Sequence, residues 1–195
     1  MRPFRNSIPN RTCTKKYSTH SSYKRFLRED FRKRCGYCDD LDIPCGGSNG
    51  FHVDHFRPKS LFRRLQNNYN NLVYACPYCN IAKSDDWPSS DKTLAVLNGK
   101  GYIDPCDVDF DNHFERHDDG RIRSKTDVGN YMYKQLRLGL RRHQLLWMCE
   151  QLETTIKKVQ EEFDKGGDDD TLLTKNYMRL TTEYFKYKGL FEETL

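Results

Sequence analysis

Residues 35–38 read CGYC, and residues 76–79 read CPYC. Each C-x-x-C puts two thiols on one side of a tight knuckle, and the two knuckles are separated by 37 residues. Two such knuckles supply the four soft ligands of a closed tetrahedral Zn²⁺ site at Cys35, Cys38, Cys76 and Cys79. A site with all four positions filled by protein has no room for substrate, so this zinc is expected to be structural. Paired spacing occurring twice is hard to reach by accident, and the expected result is a module clamped at both ends by one ion. Cys13, Cys45, Cys106 and Cys149 show no such pattern and read as ordinary residues.

Inside the clamp lies FHVDHFRPKS, residues 51–60, in which an Asp precedes a His at the end of a short alternating run. Successive strand side chains point to opposite faces. Asp54 can therefore hold a hard cation while His55 faces a water, and an imidazole titrating near neutrality suits a general base. His52 shares a strand face with Asp54 but reads as a packed or exposed residue. His113 and His117 read as surface.

Outward from the clamp, composition limits the possibilities. The 195 residues are 36% hydrophobic and 31% charged, with a mean hydropathy of −0.93. This suits one solvated domain, or one domain with an appendage. No run approaches the roughly 18 apolar residues of a membrane span, and the N-terminus lacks the apolar stretch of a secretory signal. A reducing cytoplasm is expected, with the thiols on metal rather than in disulfides. Residues 1–34 carry eleven Lys and Arg against two acids, whereas residues 145–195 carry seven basic and eleven acidic residues. The basic arm, with Lys15, Lys16, Lys24 and Arg25, is a plausible phosphate-binding surface.

Four regions follow. Residues 1–34 are read as a basic arm leading into an amphipathic helix carrying Tyr23, Phe26, Leu27 and Phe31. Residues 35–92 hold the clamped core, with a turn at GGSNG, 46–50. Residues 93–126 are an irregular extension with a hairpin turning at Asp119-Gly120, and residues 127–195 are helical. In that last region Leu145, Cys149, Leu152, Ile156, Val159 and Phe163 step by four and three. Leu173, Tyr177, Leu180, Tyr184 and Tyr187 repeat the step, after a break in which Asp170 is placed to cap the second helix. Two such seams are expected to zip together as an antiparallel hairpin, with a docking surface for a partner as the alternative.

Together, CGYC, VDHFRP and NNLVYACPYCNIAKSD (residues 70–85) resemble the HNH, or ββα-metal, endonuclease family in its zinc-containing form. The resemblance covers about residues 33–90. It implies an α+β fold: a zinc-clamped ββα core with an N-terminal basic helix and a C-terminal helical hairpin. It also implies a metal-dependent enzyme hydrolysing phosphodiester bonds in DNA. Carried over residue by residue, His55 becomes the base, and Asp54 and Asn80 the ligands of one catalytic Mg²⁺ or Mn²⁺. Asn71 matches the middle Asn that holds the base-bearing loop. Lys83, three residues after Asn80, and Arg57 are weaker candidates for phosphate contacts. Many family members carry His at the last motif position; the oxygen ligand here favours Mg²⁺ or Mn²⁺ over softer ions. The downstream segment resembles the tail of stand-alone prokaryotic HNH proteins that act in phage defence beside an ATPase partner. Two other classes stay open: a zinc-ribbon nucleic-acid-binding module without catalysis, and an interaction subunit whose nuclease centre is dormant until a partner docks.

Overall fold

The structure, a computed structural model, describes residues 3–89, 93–164 and 171–194. The expected cap at Asp170 lies outside them. The chain forms two compact units, Met1–His117 with Ile122–Gly139, and Asp118–Arg121 with Leu140–Leu195.

In the first unit the N-terminal arm runs without regular structure into a single 3₁₀ turn, His20–Tyr23, and helix α1, Lys24–Asp30. The helical spacing read from sequence buries Tyr23, Leu27 and Phe31 on one side, with Phe26 half-buried. Arg32 and Lys33 both take left-handed φ values, 53° and 61°, which ends the helix and turns the chain sharply into the first knuckle. There the Asp39 amide donates to the Cys35 carbonyl and the Cys35 amide to the Asp40 carbonyl, at 3.0 and 2.9 Å. Gly36 is required by close packing. A Cβ at this position would stand 2.7 Å from the Phe31 ring and 2.8 Å from Val73.

GGSNG is not a simple turn. A 3₁₀ turn at Ile43–Cys45 passes through Gly46, φ 86°, into a one-turn helix α2, Gly47–Gly50. Strand β1, His52–His55, then pairs antiparallel with β2, Leu72–Ala75, in the register Asp54↔Val73 and His55↔Leu72. All four β2 residues, LVYA, are buried, as expected of a continuous apolar run covered on both faces. Helix α3, Pro77–Lys83, starts directly at the second knuckle. Pro77 suits the first helical position, where its missing N–H costs nothing, and the Cys76 sulfur accepts the Cys79 amide.

Downstream, β3 (Val96–Leu97) pairs with β4 (Lys100–Gly101), and β5 (Phe114–Arg116) pairs with β6 (Ile122–Ser124). The predicted hairpin is therefore present, but Arg116 faces Ile122, so residues 117–121 form the connection. Asp119-Gly120 lies within this longer loop, with Gly120 at φ 85°, and does not make a two-residue turn. Helix α4, Asp127–Gln135, is N-capped by Thr126, whose hydroxyl accepts the Gly129 amide. It packs on β4 and β6 and so belongs to the first unit, whereas the sequence had grouped it with the C-terminal helices. His113 is also not at the surface. It is buried with its ring nitrogens on Thr126 and Asp109, at 2.7 and 3.0 Å.

The second unit is dominated by α5, Arg141–Asp164, and α6, Thr171–Glu192. Arg142 lies over the Phe191 ring and Phe163 packs edge-on against Tyr177. Residues near one end of α5 thus meet the far end of α6, and the pair is antiparallel as the two seams predicted. Leu145, Leu146, Cys149 and Leu152 are buried, while Leu172, Met178 and Phe185 on α6 are exposed. Among the described residues no helix is long and apolar enough to cross a membrane.

Candidate metal centre and nuclease cleft

The four cysteines of the two knuckles are buried, and their sulfurs lie within 4.8 Å of one another. The Cys38 and Cys76 sulfurs are 3.7 Å apart. A tetrahedral zinc with Zn–S bonds of about 2.3 Å requires sulfur–sulfur edges of about 3.8 Å, so the thiols fit the ion closely. Burial first, and then the neighbouring Cys35 and Cys76 thiols, push the Cys38 and Cys79 thiols well above their usual range, and a cation is what makes thiolates tenable there. The buried Arg116 donates to the Cys38 carbonyl at 3.0 Å, tying the β5–β6 hairpin to the first knuckle. No spacing signal in the sequence connects these two segments.

The clamp places β1, β2 and α3 so that Asp54, His55 and Asn80 line one open cleft of about 370 Å³. His20, Lys59, Ser84 and Asp85 line it too. His55 is buried, and its Nε2 lies 2.8 Å from the Gln66 carbonyl. A carbonyl can only accept, so Nε2 carries the proton and Nδ1 keeps a lone pair. Burial is the main influence on this imidazole and holds it below its ordinary pKa, against the opposing pull of the Gln66 contact and Asp54. A neutral ring with one fixed tautomer is the form a general base needs.

Asp54 is oriented differently. Its Oδ2 accepts from the Tyr37 hydroxyl at 2.6 Å and stands 3.3 Å from the Lys83 ammonium. Among the described residues Oδ1 has no partner. Asn80 is half-buried on α3, and its side chain makes no hydrogen bond among the described residues. A carboxylate oxygen and an amide oxygen lining one cleft suit a hard divalent cation.

Asn71 lies beneath the cleft rather than in it. Its Oδ1 accepts the Arg57 amide at 2.9 Å, and its Nδ2 donates to the carbonyls of Arg57 and Leu65 at 3.0 and 3.4 Å. It therefore staples the loop that follows His55 and leads to Gln66. Lys83 requires a correction as a phosphate contact. It is fully buried, with Nζ 2.8 Å from the His55 carbonyl, and cannot reach a bound polymer. Arg57 lies over the Phe62 and Trp87 rings, 5.5 Å from each centroid. In the arm, Lys15, Lys16 and Arg25 are exposed and Lys24 is half-buried. Other arm cations serve the fold: Arg5 pairs with Asp111, Arg11 with Asp104, Arg28 with Asp42 and Arg34 with Asp39. The arm is thus less free than its charge count implied.

Sequence reasoning missed His20, Tyr37 and Asp85. The His20 ring stands edge-on to His55, with centroids 4.8 Å apart. Burial, followed by His55 and Lys59, lowers its pKa. A lone His in an irregular arm carries no periodic signal, and Tyr37 is hidden inside a knuckle read only for its cysteines.

Strands β1 and β2 and helix α3 form a ββα unit held between the two cysteine knuckles, and it presents Asp54, His55 and Asn80 to a single cleft. Residues 35–86 match the family model described as HNH endonuclease. The chain is 26% identical over 137 residues to the Septu protein PtuA of Bacillus mycoides (strain KBAB4), a match covering 58% of this chain and 18% of that protein. It is 27% identical over 125 residues to the Septu protein PtuB of the same strain, covering 53% of this chain and 41% of that protein. The chain thus spans less than half the length of either of these relatives.

Proposed function

We propose that this chain is a metal-dependent endonuclease hydrolysing phosphodiester bonds in DNA, and that it works in the cytoplasm as the nuclease component of an antiviral defence system. The observation that carries the chemistry is the His55 geometry: Nε2 is committed to the Gln66 carbonyl in a cleft shared with Asp54 and Asn80. His55 Nδ1 takes the proton from a water as that oxygen bonds to phosphorus and the ester P–O bond breaks. Asp54 Oδ1 and the Asn80 amide oxygen would hold one Mg²⁺ or Mn²⁺, whose positive charge would offset the negative charge that develops as the ester bond breaks. Asn71 keeps the base in place through the loop, and one Zn²⁺ on the four cysteines holds the two knuckles. The exposed Lys15, Lys16 and Arg25, with Lys24, would track the DNA backbone, with Arg57 as a further contact.

Similarity to two Septu proteins of one strain supports a setting in phage defence with a second protein, such as an ATPase, docked on the C-terminal helices. The exposed Leu172, Met178 and Phe185 of α6 are the apolar groups such a partner would cover.

Cleavage of supercoiled plasmid with Mg²⁺, alone and with the protein encoded beside it, tests the reading. The expected result is nicked or linear product that falls by roughly 10²–10⁴-fold in His55→Ala, the usual range for loss of a general base. Cleavage by His55→Ala at the wild-type rate would refute the catalytic assignment. Wild-type inactivity under both conditions would refute the enzyme.

A further inference from the structure

The Lys83 ammonium occupies an unusual position. It is fully buried directly behind the carboxylate that would bind the catalytic cation, 3.3 Å from Asp54 Oδ2 and 2.8 Å from the His55 carbonyl. The Tyr37 hydroxyl takes the same Oδ2 at 2.6 Å. The charged groups lining or flanking the cleft are Asp54 and Asp85 against Lys59 and Lys83, which cancel formally. Asn80 is neutral. A dication entering this cleft alone meets one open oxygen on Asp54 with a buried positive charge just behind it, and the exposed Asp85 is the only other acid in the lining, so Coulomb repulsion from Lys83 opposes loading.

We propose that Lys83 is a positioning residue that makes cation binding depend on substrate: with Lys83 neutralising Asp54, the divalent ion loads tightly only when a DNA phosphate adds its negative charge to the cleft. This deepens the nuclease reading and rests on it. Tyr37 and Lys83 together hold Asp54 so that only Oδ1 is presented, and Lys83 sets the charge of the empty cleft. The consequence is a centre that scavenges little free metal and assembles on the scissile phosphate. A purely structural Lys83 would predict that its loss weakens the site or the fold, whereas a counter-charge predicts that its loss tightens metal binding.

Mn²⁺ binding, read from the electron paramagnetic resonance signal of the free ion, tests this on zinc-loaded protein. All measurements use the His55→Ala background so that DNA stays intact, with Asp54→Ala added as the blank. With Lys83 present, a DNA duplex should tighten Mn²⁺ binding by about tenfold or more. Adding Lys83→Met should tighten binding without DNA by about tenfold or more, with zinc content and near-ultraviolet circular dichroism unchanged, and the duplex should then add less. Equal Mn²⁺ affinity with and without duplex when Lys83 is present would overturn the proposal, and that comparison does not depend on whether Lys83→Met folds. A folded Lys83→Met with unchanged affinity for free Mn²⁺ would overturn it as well. The DNA-free comparison does not depend on cleavage, so failure of the counter-charge is distinguishable from failure of the nuclease, which plasmid cleavage tests.

Discussion

Replacing Asn71 by Ala removes three hydrogen bonds at once while leaving every residue of the cleft in place. The Arg57 amide loses its acceptor at 2.9 Å, the Arg57 carbonyl loses a donor at 3.0 Å, and the Leu65 carbonyl loses a longer contact at 3.4 Å. Asn71 is only 4% exposed, so water does not easily replace the amide. A buried backbone group left without its partner costs about 1–3 kcal/mol. Two well-formed bonds and one weak one therefore put the loss at about 2–4 kcal/mol, concentrated in the loop between His55 and Gln66. The loop positions the Gln66 carbonyl that fixes the His55 tautomer, so an opening of this size also releases the base. Hydrogen–deuterium exchange on peptides spanning residues 56–66 should show the Arg57 amide exchanging about 30- to 1,000-fold faster, the range that energy implies at 1.4 kcal/mol per factor of ten. Exchange in β2 should be affected less, cleavage should fall by about 10²-fold or more, and zinc content should be unchanged. Wild-type exchange at 56–66 together with lost cleavage would mean that Asn71 acts on substrate directly and that the staple is irrelevant.

Other outcomes follow from the same geometry. Cys35→Ser or Cys76→Ser should lower zinc content, thermal stability and solubility together, because binding energy at a closed site is folding energy; metal analysis finding no zinc in the wild type would contradict the clamp. His55 is held below the ordinary imidazole value of 6.5, so the cleavage rate should rise with pH to a plateau through a midpoint below that value. Between the folded and unfolded pKa values the unfolded chain binds more protons, so His55 also contributes stability that is present above the unfolded value and lost as pH falls; a midpoint above 7 would contradict its burial. Asp54→Ala and Asn80→Ala should lose cleavage in a way that raised Mn²⁺ partly rescues, which His55→Ala should not share. Changing Lys15, Lys16, Lys24 and Arg25 together to Ala should weaken DNA binding at all sequences and flatten the logarithmic salt dependence by about one unit per lost phosphate contact; an unchanged slope would remove the arm from the interface.

Local chemistry by itself determined a good deal here. Two C-x-x-C knuckles announce their ion because thiol spacing within four residues is fixed by the turn. The strand carrying Asp54 and His55, the helix beginning at Pro77, and the two four-three seams of α5 and α6 are also legible, since each depends on neighbours within a few residues. The tertiary structure decided what depends on packing between distant segments. Lys83 reads as a candidate phosphate contact until β1 is laid against α3, which buries its ammonium on Asp54 and the His55 carbonyl. Arg5 and Arg11 read as free cations until the arm folds back onto Asp111 and Asp104. His20 reaches the cleft, and Arg116 the Cys38 carbonyl, across separations over which sequence carries no period. Periodicity and spacing encode contacts made along one element, whereas the partner of a charged side chain is set by which elements are brought together, and that choice is made by the burial of the whole core.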